Sequence, residues 1–378
     1  YFGKLKSSEA ADYSRYLFFY VNYLIHKKRF DLVKEISFEI DELSSNLIIL
    51  QTKSWIDKSN FSEIKEIFSC NNENDILAEF FYLVSNLYSS QDEYEQSNFY
   101  LNISYFLNKK FKINLSLMAD NYYLNENYDQ SLNVLKSFDS KDDLYYWFKI
   151  KQEAKIITEK KNKEEALKYI EKNFKNIKNP STKVLFDLAT IYKNSKKYDK
   201  AIELYTSVMS IIEKDTVNYA DLLYRRGGSF ERIGKYEKSD KDLLEALKII
   251  PNNSYVLNYL AYSWLERDRN INKAISMLEK AYEVNENDPY IIDSVGWGYF
   301  LVGKYDDAEK YMRRALELMP NDPIVNDHYG DILWKLNRKI QAQYFWNSVL
   351  KMEDAEKEMK EKVKVKLIKG LSKNNESL

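Results

Sequence analysis

Asp327 and Asp331 lie four residues apart, with His328 between them and a further carboxylate at Asp293. Four residues apart on a helix is one face, so the two carboxylates point the same way while His328 points elsewhere. Two carboxylates and an imidazole are the raw material for general acid–base work or a divalent metal site. A metal would need further ligands from neighbouring elements, and Asp293 is the one obvious candidate. Carboxylates that contact a partner, helix caps and solvent-facing charges are the simpler readings. Gly296-Trp-Gly298-Tyr-Phe-Leu-Val-Gly303 is rich in glycine, but a phosphate-cradling loop needs a strand before it and different spacing. His26 and His328 are the only histidines and Cys70 is the only cysteine. An intrachain disulfide and a thiolate metal cluster therefore have no residues to build on, and neither histidine has the surroundings from which a Ser/His/Asp triad could be assembled. His26 reads as a turn residue and Cys70 as a small apolar group near a helix end. No catalytic residue, cofactor or metal is expected.

The elements that hold these residues are helices. The chain has 378 residues, 44% hydrophobic and 30% charged, with only 9 Gly and 5 Pro. Sheet proteins of this size use many more turns built on special backbone angles. The apolar share excludes a disordered chain. Lys and Arg number 57 against 58 Asp and Glu, a net charge of −1. A nucleic-acid binder or a polybasic membrane-surface protein would carry a basic excess. Tyr16 to Ile25 is the most apolar stretch, far short of the roughly 20 residues needed to cross a bilayer, and reads as a buried helix. The chain begins at Tyr1 rather than Met, so its natural start, with any signal peptide or lipid anchor, is expected upstream.

A repeat organises the rest. A small residue recurs at Ser97, Ser131, Ala166, Ala201, Ser239, Ala274, Ala308 and Ala342, at intervals of 34, 35, 35, 38, 35, 34 and 34. Three residues earlier an aromatic recurs as Tyr94, Tyr128, Tyr198, Tyr236 and Tyr305. Phe30 and Phe61 fill that place in two degenerate N-terminal units, and Lys163 replaces it in another. Leu185-x-x-Leu188-Ala189-x-x-Tyr192, Leu257-x-x-Leu260-Ala261-x-x-Trp264 and Ile292-x-x-Val295-Gly296-x-x-Tyr299 mark a first helix in three units. A small side chain lets two helices approach closely, and larger apolar groups a turn away fill the grooves. One hairpin cannot bury both faces, so successive hairpins must stack.

The spacing resembles the tetratricopeptide repeat, a helix–turn–helix unit of 34 residues. The resemblance implies an all-α, right-handed superhelical solenoid of about ten helix pairs starting near residues 14, 45, 78, 112, 147, 182, 220, 254, 289 and 323. Residues 1–77 read as degenerate repeats, 78–181 as moderate matches, 182–353 as good matches, 354–371 as a capping helix and 372–378 as a frayed tail. Within the capping segment, Met359, Val363, Leu367 and Leu371 are the apolar face. Ser137–Asp143 is expected to cut one second helix short, and Thr216–Tyr219 to lengthen a connection.

In such solenoids the first helices line a concave groove. Register places Tyr224, Gly228, Glu231, Asn258, Tyr262, Asp293, Trp297, Asp327, Asp331 and Trp334 in that lining, where aromatics supply contact area and amides or acids read a peptide backbone. The expected function is a non-catalytic scaffold or adaptor binding a protein or peptide there. Three carboxylates would repel a C-terminal carboxylate, so a basic, amide-rich or N-terminal segment fits better. The alternatives are an assembly subunit that binds through its edges or convex face, and an enzyme with a site embedded in the solenoid. Asp293–Tyr299, Asn326–Trp334 and Gln341–Trp346 look like tetratricopeptide proteins of Gram-negative bacteria, alphaproteobacterial ones especially. These include envelope lipoproteins that act as adaptors for periplasmic proteases. That narrower resemblance implies a periplasmic or envelope location, although no lipid-attachment motif is visible and a cytoplasmic one stays open.

Overall fold

The computed structural model describes residues 14–371, and every described element is a helix. The expected tail at 372–378 lies outside the described residues. The chain divides into two units, residues 1–196 and 197–378.

The first unit contains α1 (Ser14–His26), α2 (Phe30–Glu39), α3 (Leu47–Asp57), α4 (Phe61–Ile67), α5 (Glu73–Ser89) and α6 (Tyr94–Leu107). It continues with α7 (Ile113–Leu124), α8 (Tyr128–Leu135), α9 (Asp143–Lys160), α10 (Lys163–Phe174) and α11 (Thr182–Asn194). The second unit contains α12 (Tyr198–Met209), α13 (Val217–Arg232), α14 (Tyr236–Ile249), α15 (Ser254–Leu265) and α16 (Ile271–Val284). It ends with α17 (Pro289–Leu301), α18 (Tyr305–Leu318), α19 (Pro323–Lys335), α20 (Lys339–Lys351) and α21 (Lys357–Lys369).

Local chemistry sets these boundaries. Asn46, Asn72, Asp142, Ser181, Thr216, Asn253, Asp288 and Asp322 each accept a backbone N–H at the start of a first helix. The repeating aromatic opens the second helix of its pair. The recurring small residues Ser97, Ser131, Ala201, Ser239, Ala274, Ala308 and Ala342 are completely buried where paired helices meet. α8 is only eight residues long, as the loop after it requires.

Most turns between paired helices hold one left-handed residue. Gly234 and Gly303 fill two of them, but Lys28, Ser59, Asp92, Glu126, Lys196, Asp268 and Asn337 adopt positive φ in others. That is how the fold manages with so few glycines, although each such non-glycine residue carries a strain of roughly 1 kcal/mol or more.

The N-terminal hairpins depart from regular stacking. Phe18, Val21, Ile25, Ile48, Ile49, Ile56, Ile64 and Phe68 share one core with Tyr82, Leu101, Phe111, Ile113 and Met118. Gln51 Nε2 donates to Asp142 Oδ2 at 2.6 Å, and Asn108 Nδ2 donates to the Ile67 carbonyl at 2.8 Å. α1 is amphipathic rather than wholly buried: Tyr16 and Tyr23 are exposed while Phe18, Val21, Leu24 and Ile25 are not. Cys70 is also exposed, beyond the end of α4, and does not pack as a small apolar group. No described helix is long and apolar enough to cross a membrane.

Candidate partner-binding site

α13, α15 and α17 place side chains around a cavity of about 650 Å³ in the second unit. Its walls include Glu231 and Arg232 from α13, Asn258, Tyr259, Tyr262 and Ser263 from α15, Glu266 just beyond it, and Asp293 from α17. The Tyr259 hydroxyl donates to Glu231 Oε2 at 3.0 Å, and Tyr224 meets the Tyr259 ring edge-on at 5.8 Å. Gly228 lies beside Tyr259, where a Cβ would make an ordinary van der Waals contact 3.5 Å from the hydroxyl oxygen. Asn258 Oδ1 is buried and has no hydrogen-bond partner among the described residues.

The wall is acidic. Burial pushes the Tyr262 phenol well above its ordinary value, and the charges of Glu266, Asp293 and Glu231 add to that effect while Arg232 opposes it. Burial likewise raises Glu266, against the hydrogen bond that its Oε1 accepts from Trp297 Nε1 at 2.9 Å. The arrangement offers aromatic faces and carboxylate oxygens to an incoming donor.

The remaining groove residues lie elsewhere than in open solvent. Trp297 is buried and stacks on His328 with ring centroids 4.0 Å apart, and His328 Nδ1 lies 2.9 Å from Asp293 Oδ1. Lys366 Nζ reaches from α21 to Asp327 Oδ1 and Oδ2 at 2.8 Å each and to Asp331 Oδ2 at 2.7 Å. Trp346 Nε1 donates to Asp331 Oδ1 at 2.9 Å. Trp334 packs against Trp346, and Gly370 passes over it at a φ of +70°, where a Cβ would fall 2.1 Å from the ring. The expected open carboxylate groove at Asp327 and Asp331 is thus closed by the last helix, because that helix carries an inward lysine. Asp327 and Asp331 therefore do not face a ligand as open carboxylates: Lys366 covers both and balances one of their two charges, and the acidity around Tyr262 comes from Glu231, Glu266 and Asp293.

No group of three or more His, Cys, Asp or Glu among the described residues could hold a metal. Burial alone would push the His328 imidazole down, but Asp293 beside it outweighs that and leaves it above its ordinary value. Burial lifts the Asp331 carboxyl to about 7 against the pull of Lys366. Gly296 and Gly298 admit Met312 and Leu278 side chains at distances no Cβ would tolerate freely, and Gly303 is a turn residue at a φ of +79°.

Register alone did not single out Tyr259, Glu266 and Lys366. Lys366 had a signal: it continues the 4–3–4 spacing Met359, Val363, Lys366, Gly370, so it sits on the buried stripe of α21.

Antiparallel helix pairs stacked on shared small-residue contacts define an α-helical repeat protein. A family model described as tetratricopeptide repeat matches residues 148–355, and the chain belongs to that family. It is 36% identical over 111 residues to TPR repeat-containing protein PA4667 of Pseudomonas aeruginosa, a match covering 29% of this chain and 19% of that one. It is 34% identical over 61 residues to human aspartyl/asparaginyl beta-hydroxylase, covering 16% of this chain and 8% of the hydroxylase. The chain therefore spans a fifth or less of these curated relatives. A thermophilic TPR protein of Thermus thermophilus superposes with a TM-score of 0.44 at 17% identity, covering 50% of this chain and all of that one. MamA of Desulfovibrio magneticus gives 0.39 at 16% identity, covering 47% and 97%.

Proposed function

We propose that the chain is a non-catalytic scaffold or adaptor that holds a basic or amide-rich segment of a partner protein in the cavity around Tyr262. The family is one of protein-interaction scaffolds, which supports the coarse reading. The finer one rests mainly on a single observation: Tyr259 and Tyr262 stand in a cavity walled by the carboxylates of Glu231, Glu266 and Asp293. Tyr259 and Tyr262 supply contact area with few rotamers to freeze, and Tyr224 packs against Tyr259. Trp297 supports the cavity wall through its hydrogen bond to Glu266.

An array of 12-residue peptides, half rich in Lys, Arg, Asn and Gln and half rich in Asp and Glu, tests this reading. Wild-type protein is expected to retain members of the first half, and the Tyr262→Ala variant to lose them at least tenfold. Equal retention by wild type and variant sinks it. A second reading, an assembly subunit that binds through an edge, is favoured by the exposed apolar residues of α5.

A further inference from the structure

Three positions of a first helix face the preceding hairpin. Relative to the small residue of the helix (Ala119 in α7, Gly227 in α13, Ala261 in α15, Gly296 in α17, Gly330 in α19), they lie five before, two before and two after. Asn114 and Asn121 of α7 donate back to Ser104 and to Ser97 and Asn98 on α6. His328 of α19 meets Asp293 of α17, and a Cβ on Gly298 of α17 would strike Leu278 and Ile275 of α16. The five-before residues Leu222, Val256, Ile291 and Val325 are at most 2% exposed. Ser229, Ser263 and Ile332, two after, are buried as well.

In α5 the reference residue is Ser85, and the same three positions are Phe80, Leu83 and Leu87. They are 56%, 42% and 61% exposed, with Ile76 one turn earlier at 48%. α4 has only seven residues, and Phe68 leaves it in an extended conformation. α1 to α4 then bury their apolar faces against Phe111, Ile113 and Met118. Among the described residues, the stacking face of α5 is left without a hairpin. Ile76, Phe80, Leu83 and Leu87 follow a 4–3–4 spacing, the seam of one helix against another. Such a patch spans a few hundred Å², suited to a helix of two or three turns and short of the roughly 800 Å² per partner of a stable dimer.

Charge identifies the occupant. Residues 71–108 carry six carboxylates (Glu73, Asp75, Glu79, Asp92, Glu93 and Glu95) and no Lys, Arg or His, in a chain whose net charge is −1. Two copies of this face would repel each other. We infer that the open face of α5 docks an amphipathic helix of a partner protein, with apolar residues in 4–3–4 spacing flanked by Lys or Arg, adding one helix to the stack where the described residues supply none. This surface lies in the first unit and is independent of the cavity around Tyr262.

The test uses the full chain and a fluorescein-labelled 16-residue helical peptide with Leu at the seam and Lys at its flanks. A scrambled peptide of the same composition and a version with Glu flanks are the controls. Fluorescence anisotropy should show saturable binding of the first peptide, weakened at least tenfold by Phe80→Ser with Leu87→Ser and again by raising salt from 50 to 500 mM. Glu73→Lys with Glu79→Lys should weaken it to a similar degree. Unchanged circular dichroism and melting of each variant show that the fold survives. Absence of binding, equal binding of the scrambled or Glu-flanked peptide, or indifference to Phe80→Ser with Leu87→Ser overturns the inference. So does sedimentation that shows a homodimer abolished by those same substitutions, because the occupant is then a second copy.

Discussion

Lys366→Met isolates the ion cluster that closes the second unit. The ammonium makes three contacts of 2.7–2.8 Å with Asp327 and Asp331, and the side chains of Lys366, Asp327 and Asp331 are 9%, 12% and 3% exposed. Burial alone would push the lysine down, but both carboxylates outweigh it and hold it above its ordinary value. Removing it strands two buried carboxylates, which costs about 3–5 kcal/mol when a buried pair is broken from one side. Methionine keeps most of the volume, so a cavity adds little. Repeat proteins lose stability locally, so the loss should appear first as release of α21 from the last hairpin. Trp334 and Trp346 lie beside that contact, and their fluorescence should change at lower urea than the far-ultraviolet dichroism of the whole chain. At a melting shift of about 2–4 °C per kcal/mol for a unit of this size, Tm of the tryptophan transition should fall by about 10 °C. Asp327→Asn and Asp331→Asn added to Lys366→Met should restore at least half, since the stranded charge is then gone. A tryptophan transition that moves by less than 1 °C, or a triple variant weaker than Lys366→Met alone, refutes the reasoning.

Other expectations follow from the same packing. Asp331 and His328 both hold their protons more tightly folded than unfolded, so each stabilises at low pH. The Asp331 contribution is lost as pH rises from about 4 through about 7, and that of His328 from about 6.5 upward. At constant ionic strength, the tryptophan transition should melt lower at pH 8.5 than at pH 6, and His328→Gln should flatten that slope. Gly330→Ala puts a Cβ 2.5 Å from the Trp346 ring and should cost about 1–3 kcal/mol in urea unfolding, whereas Gly303→Ala meets no neighbouring atom and acts only through its turn angle. Cys70 should react fully with a chromogenic disulfide reagent in native buffer within minutes, because it is exposed.

Much of the architecture was legible because the small residues and turn aromatics obey hard packing constraints. Ala201, Ala274, Ala308 and Ala342 are completely buried, so their spacing announces helix pairs directly. The N-terminal hairpins were less legible: Val33 and Ile64 take the small-residue place, and α1 to α4 join the core of α5 to α7 by contacts distant in sequence. The site divides the same way. Glu231, Asn258, Tyr262 and Asp293, which register put in the lining, surround one cavity, since their neighbours are other first helices of the same type, whereas Tyr224 stands behind it against Tyr259. Register left Asp327, Asp331 and Trp334 in the open because their cover comes from a helix that is not a repeat. A lysine among eight charged residues in Lys357–Lys369 looks solvated until its turn of the helix is seen to face Asp327.

The central claim is that a partner lies along the first helices of the second unit. A photo-crosslinking amino acid placed at Tyr262, and separately at Tyr344 on the exposed side of α20, tests it most directly in cells. The account predicts a discrete adduct from position 262, identified by mass spectrometry as a Lys-, Arg- or amide-rich segment, and none from position 344. Adducts from position 344 with none from position 262 would contradict it.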